Sequence, residues 1–369
     1  MEERYIATMV LHAVGDSIGF KNGEWEFNYG LETFTVKFVT ELLFDFIDIG
    51  GINHIDLKTW RISDDTIMHI KTAQTLLENF NSINTFGNLL KERYIEAYEQ
   101  LLAENALRIP GITLMANLKR LKLGGNWDDT PYDINFGGSG ASMRSSCIGL
   151  ALFGESNRDK LIQVSIEASR ITHNSAVGYL GGLTSALFTA FAIEGVEITE
   201  WPYRLMELVE GDKVSNYIKK SGRGFLEYVK DSHVFINKWK IYIETKFDDK
   251  RKVIKRPVTT NLIFRSQFYY DNFAYKLKGS AFIGSGGDDS VIIAYDCLVD
   301  GMDSWEKFVI YDMLHVGDTD TTGCIGASWW GAIKGFTDVP EINYKNLEEK
   351  ELLIKLGKDL YQKYYKSSN

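Results

Sequence analysis

Apolar residues recur at helical spacing from the start of the chain. Ile6, Met9, Val10, Ala13, Val14 and Ile18 predict a helix over 4–18 that ends at Gly19. From Phe20 to Trp60 the period is lost while glycines and aromatics multiply, which reads as a loop region with one short helix. Connections of that length without structure are uncommon, so the stretch reads as functional rather than as a linker. Ser63 then has the character of an N-cap, followed by Asp64, Asp65 and Thr66 in a first turn and by Ile67, Ile70, Ala73, Leu77 and Phe80 on an inward face. Acids in a first turn also complement the helix dipole, so this stretch alone does not demand chemistry. Further helices are predicted at 84–104, 112–122, 139–153 and 157–171, the last capped by Asn157.

Ala176 to Ile193 is apolar all round, short for a membrane span and closed by Glu194, and reads as a buried helix. Between Trp201 and Tyr275 helical and strand-like pieces alternate around the charged run Asp248 to Lys252. Helices return at Val291–Val299, Trp305–His315 and Leu347–Tyr365. Helices far outnumber strands, and no strand–helix alternation or short repeat is present. The expected fold is all-α, an orthogonally packed helical bundle. It forms a single domain over 1–369 with an irregular subregion at about 201–280.

Composition changes this picture little. The 369 residues are 44% hydrophobic, enough for a substantial core. A formal net charge of -9 leaves no electrostatic footprint for nucleic acid or an anionic membrane. Cys147, Cys297 and Cys324 are far apart with no CxxC, so neither a disulfide framework nor a zinc site is indicated, and a reducing cytoplasmic setting fits best. The first residues, MEERYIATMV, place acids where a signal peptide needs a basic start.

Candidate chemistry concentrates in His315–Gly331, where Asp318 and Asp320 sit between a glycine and the small-residue start of an apolar helix. Carboxylates and hydroxyls without Cys or His between them suit a hard divalent cation. A calcium-hand reading fails because its twelfth position falls on Trp329 instead of a bidentate Glu, and no HExxH pair exists for a zincin. Two carboxylates cannot close an octahedral site, which directs attention to Ser63, Asp64 and Asp65. Three glycine-containing breaks complete the inventory: Arg108–Gly111, Phe136–Arg144 and Ile283–Ser290. The second runs into a predicted helix, so its backbone N–H groups can face a phosphate, although it is neither a Walker loop nor a GxGxxG fingerprint.

Taken together and in order, several segments resemble the ADP-ribosylglycohydrolase family over nearly the whole chain. They are Val14–Gly19, Trp60–His69, Gly140–Arg144, Thr172–His173 and Gly317–Thr321. Asn22–Phe27, Leu161–Glu167 and Trp329–Gly331 further resemble its arginine-linked branch. The resemblance implies an all-α fold and hydrolysis of the N-glycosidic bond between ADP-ribose and arginine in mono-ADP-ribosylated proteins, with two Mg²⁺ ions. It makes Ser63, Asp64, Asp65, Asp318, Asp320 and Thr321 metal ligands, with Asp64 or Asp65 handling protons. It assigns substrate binding to Asn22, Arg108, Gly111, Gly138, Ser139, Gly140, Ala141, His173, Gly284, Ser285 and Gly286. Ile112 departs from the pattern, where a second glycine is expected. The serine-linked branch places a mobile Glu near the metals, for which Glu24, Glu26, Glu32 and Glu41 are the candidates here. An O- or serine-linked substrate, or ADP-ribose binding without turnover, are the alternatives.

Overall fold

The computed structural model describes residues 1–27, 35–254, 261–277 and 280–367. Its helices begin with α1 (Glu2–Phe20), α2 (Val36–Asp48), α3 (Asp64–Leu77), α4 (Ile83–Ala103), α5 (Asn105–Arg108) and α6 (Ile112–Lys122). Next come α7 (Ser146–Ala151), α8 (Arg158–Arg170), α9 (Ala176–Glu194), α10 (Trp201–Glu210), α11 (Asp212–Ser221), α12 (Phe225–Lys246) and α13 (Leu262–Asn272). A hairpin of β1 (Tyr275–Leu277) and β2 (Ser280–Phe282) pairs antiparallel with Tyr275 opposite Phe282. The chain finishes with α14 (Asp289–Gly301), α15 (Trp305–Met313), α16 (Thr319–Lys334), α17 (Ile342–Lys345) and α18 (Lys350–Leu360). The all-α expectation holds.

Glycine and alanine positions let helix backbones touch. A Cβ on Gly15 of α1 would lie 2.1 Å from the Gly323 carbonyl oxygen of α16, and one on Gly19 would lie 2.1 Å from that of Thr319. Gly19 therefore does not stop its helix, as its position predicted; α1 runs on to Phe20 and the missing side chain is the contact surface. Gly149 of α7 meets the Ala186 carbonyl of α9 in the same way, at 2.1 Å. Helix α9 is buried from Ala176 to Ile193, capped by Ser175, whose hydroxyl accepts from the Gly178 N–H, and closed at the left-handed Gly195. It is the one described helix long and apolar enough to cross a membrane, and its faces are instead covered by α7, α8, α12 and α16.

Other departures have local causes. The helix expected over 139–153 is a single 3-10 turn at Ser139–Ala141, with regular helix resuming only at Ser146. In between, the Ser142 hydroxyl donates to the Ser139 carbonyl at 2.7 Å and His12 Nε2 engages the Met143 carbonyl at 2.7 Å, competing with helical hydrogen bonds. Asn157 does not cap α8: its amide donates to the Phe153 carbonyl at 2.9 Å. Residues 36–48 form a full helix where the sequence pattern predicts only a short one. In the 201–280 stretch α10–α13 precede the hairpin. Buried ion pairs join α12, α13 and α14, with Lys246 on Asp296 at 2.6 Å and Asp300 at 2.7 Å, and Arg265 on the same two acids.

Replacing Gly15 with alanine drives a methyl into the α16 backbone. We expect a loss of stability of about 1–3 kcal/mol, the usual range for overpacking, read as a lower midpoint in urea denaturation with an unchanged slope.

Candidate functional site

The acidic first turns of α3 and α16 meet. At the start of α3 the Ser63 hydroxyl accepts the Asp65 N–H at 3.1 Å, the capping geometry its sequence position predicts. Asp16, on α1, holds this turn from below: its carboxylate accepts the Ser63 and Thr66 N–H groups, each at 3.1 Å, and the Thr66 hydroxyl. At the start of α16 the Asp318 N–H donates to the Ile283 carbonyl at 2.8 Å and the Thr319 hydroxyl to the Gly19 carbonyl at 2.8 Å. The Thr321 hydroxyl then donates to Asp65 Oδ2 at 2.9 Å, joining the starts of both helices directly. Glu26 completes the arrangement, since one carboxylate oxygen each of Glu26, Asp318 and Asp320 lies within 4.8 Å of the others. Glu32 lies outside the described residues, and Glu24 instead pairs with Lys21 at 2.9 Å.

These acids oppose one another's ionisation. Burial, then Asp16, pushes Asp64 up to about 8, and burial raises Asp16 itself to about 6. Asp65, Asp320 and Glu26 stand well above the carboxylate range through burial first and neighbouring acids second; burial likewise dominates for Asp318. An all-oxygen donor set whose charged form is self-repelling fits a hard divalent cation, which would relieve that repulsion. Ser63, Asp64, Asp65, Asp318, Asp320 and Thr321 could hold one or more such ions.

The two later glycine loops form one unit beside the acids. Gly138 and Gly286 pair as an antiparallel bridge, with the Ser139 N–H on the Ser285 carbonyl at 2.8 Å and the Gly287 N–H on the Gly137 carbonyl at 2.9 Å. The Ser139 hydroxyl reaches Asp318 Oδ2 at 3.1 Å. Buried Asp289 accepts the Gly284 and Gly286 N–H groups, both at 2.7 Å, so the amides of Ser139, Gly284, Gly286 and Gly287 are engaged within the protein. Gly284, at φ 80, turns the chain where a Cβ would meet the Asp318 carbonyl at 3.1 Å. His173 lies under the first loop: a Cβ on Gly140 would be 2.4 Å from its ring. Its Nδ1 shares a hydrogen bond with the Thr172 hydroxyl at 2.8 Å, and burial beside Arg144 lowers it to about 3, keeping the imidazole neutral. Arg144 ties Thr172 to the loop, donating to the Thr172 hydroxyl at 2.7 Å and the Gly140 carbonyl at 2.6 Å. Ala141 is fully buried behind this turn.

Two residues expected as substrate contacts serve the scaffold in this structure. The Arg108 guanidinium is buried and donates to the Ile62 carbonyl at 2.7 Å, Glu104 at 2.7 Å and both oxygens of Glu348 at 2.8 Å. Asn22 uses both ends of its amide on the Thr59 carbonyl at 3.1 Å and the Arg61 N–H at 2.9 Å. Gly111 is exposed, the extended N-cap residue of α6. Sequence reasoning leaves Glu26 as one of four equivalent candidates and gives Asp16 no role. The signals for Asp16 are its place in the Val14–Gly19 segment that carries the resemblance and its being an acid on the apolar helix over 4–18, a position that burial makes costly without partners.

Comparison with known proteins accords with this geometry. The family model described as ADP-ribosylglycohydrolase matches residues 1–369. An ADP-ribosylhydrolase ARH1 of Dictyostelium discoideum is 36% identical over 379 aligned residues, covering 97% of this chain and 94% of that protein. Protein L444 of Acanthamoeba polyphaga mimivirus, named as an ADP-ribosyl glycohydrolase, is 39% identical over 324 residues. That match covers 86% of this chain but 61% of the viral protein's length. Among solved structures, an ADP-ribosylglycohydrolase-related protein complex shares the fold at a TM-score of 0.58 and 17% identity, covering 98% of each chain.

A cation that binds the acidic cluster stabilises the folded state. Titrating a divalent cation into chelator-stripped protein is expected to raise Tm, by about 2.7 kcal/mol of stability at a hundredfold excess over Kd, and Asp320→Asn is expected to remove most of that rise. An unmoved Tm in the unsubstituted protein would refute the metal reading.

Proposed function

The chain belongs to the ADP-ribosylglycohydrolase family, and on that premise we propose that it cleaves the N-glycosidic bond between C1 of ADP-ribose and an arginine guanidinium in mono-ADP-ribosylated proteins, using two Mg²⁺ ions. A hydrolase acting on an ADP-ribose linkage is what the family carries. The arginine linkage and the metal identity are our reading. The observation that bears most weight is the Thr321–Asp65 hydrogen bond at 2.9 Å, because it joins two acidic helix starts that are remote in sequence.

In this reading Ser63, Asp64, Asp65, Asp318, Asp320 and Thr321 would hold the Mg²⁺ ions, which would supply Lewis-acid positive charge beside the reacting ribose. The protein's own groups do the rest. Asp65 is pinned by the Thr321 hydroxyl, which leaves Asp64 the freer of the two to take the water's proton and pass it to the departing guanidine nitrogen as the C1–N bond breaks. Positive charge developing on the ribose is stabilised by the surrounding carboxylates, following the two-role logic of glycoside cleavage. The Gly138–Ala141 turn and the Gly284–Gly286 loop receive the diphosphate and adenosine sides, and neutral His173 offers the ribose a hydrogen bond without adding charge. ADP-ribose and an unmodified arginine are the products.

Glu26 favours a second reading. Its carboxylate lies against Asp318 and Asp320, where the serine-linked branch places its mobile Glu, so an O-linked substrate has a specific structural argument in its favour. A panel of arginine-, serine- and O-acetyl-linked ADP-ribose separates the two. Release of ADP-ribose from the arginine-linked member alone supports the first, and preference for an O-linked member replaces it.

Asp64→Asn and Asp65→Asn should each lower kcat by about 10²–10⁴-fold while the circular dichroism spectrum stays native. EDTA should abolish turnover by the unsubstituted protein and Mg²⁺ should restore it. Full activity in EDTA would rule out the metal role.

A further inference from the structure

Ile109 breaks two local rules at once. It stands at φ 49, ψ 52, in the left-handed region that β-branched residues avoid, and it precedes Pro110, which steers the preceding residue toward extended backbone. It is also 50% exposed, so burial of its side chain does not explain the conformation. Such strain persists only where the surroundings over-determine it. Here they do: Arg108, one residue earlier, is locked by Ile62, Glu104 and Glu348, and the Ile109 N–H closes α5 on the Asn105 carbonyl at 3.0 Å.

The bend sits between two contacts. On one side, the Arg108 guanidinium donates to the Ile62 carbonyl at 2.7 Å, one residue before the Ser63 cap of the turn that carries Asp64. On the other, the bend lays the Ile109 side chain on Gly23, where Cδ1 would sit 2.7 Å from any Cβ and the backbone is itself left-handed at φ 87. Gly23 belongs to the segment that delivers Glu26, and that segment has further positive φ values at Lys21, Asn22 and Phe27. Ile109 thus joins the segment anchored beside the α3 cap to the segment that carries Glu26.

We infer that Ile109 is a positioning residue: its left-handed backbone and its contact with Gly23 hold the Glu26 segment in register with Asp64 and the opposing acids. The inference rests on reading those acids as a metal-dependent hydrolytic site. It goes beyond that reading in assigning the register to a residue that binds neither metal nor substrate.

Two variants test it. Ile109→Gly removes both the strain and the contact, and Ile109→Leu keeps a methyl group within reach of Gly23. For Ile109→Gly we expect an unchanged or higher Tm in chelator, together with a Mg²⁺ concentration for half-maximal Tm shift raised at least threefold and kcat/KM lowered at least tenfold. Ile109→Leu should recover most of both. Unchanged Mg²⁺ half-saturation and unchanged kcat/KM in Ile109→Gly would overturn the proposal, as would a fall in Tm that accounts for the lost activity. If the unsubstituted protein hydrolyses no member of the substrate panel but the Mg²⁺ half-saturation still shifts, the function reading fails while the positioning role stands.

Discussion

The approach of α1 to α16, backbone against backbone, is the constraint on which the site depends. With no side chain on Gly15 or Gly19, the start of α16 lies directly on α1. That contact fixes the height of Asp318 and Asp320, while Asp16 on the same helix fixes the first turn of α3 through two N–H groups. Both acidic turns are thus referenced to one helix. Neighbouring carboxylates would otherwise move apart, because each raises the cost of charging the next, and rigid attachment to α1 is what keeps them together.

Much of this is legible in the chain. The Ser63 cap, the buried α9, the all-α class and the pairing of Ser63–Asp65 with Asp318–Thr321 follow from periodicity, capping chemistry and ligand counting. What is not legible depends on tertiary contact. Gly19 reads as a helix stop because a glycine that packs against a neighbouring backbone has the same letter as one that ends a helix. The 139–153 stretch reads as helical because its competitors for backbone hydrogen bonds, Ser142 and the distant His12, are visible only once the chain is folded. Glu26 stands among four equivalent glutamates until a run of left-handed residues brings it to the cluster. Arg108 and Asn22 match a motif whose polar side chains, in this structure, serve neighbouring backbone and acids.

The electrostatic design is one of exclusion. The buried histidines His12, His173 and His315 are lowered by burial to about 4, about 3 and about 3, and His69 is lowered well below the usual value, so none competes as a cation for the carboxylates. Arg144 is buried too, but its guanidinium is directed to the Gly140 and Ala168 carbonyls and to Thr172. Arg144 favours the charged form of Asp64, but burial holds the acids well above the carboxylate range, so a cation from outside would be needed to favour their charged forms together.

The bridge between Gly138 and Gly286 has a consequence for how the molecule can change. It pins the two ends of the long intervening stretch, which includes α8 through α13 and the hairpin, to each other at the edge of the site. Loop-closure entropy rises only with the logarithm of length, about 0.6 kcal/mol for each doubling. Lys238 and Lys246 of α12 and Arg265 of α13 nevertheless reach Asp288, Asp296 and Asp300, so a change of length in this stretch leaves the acids undisturbed only where those ion pairs are kept.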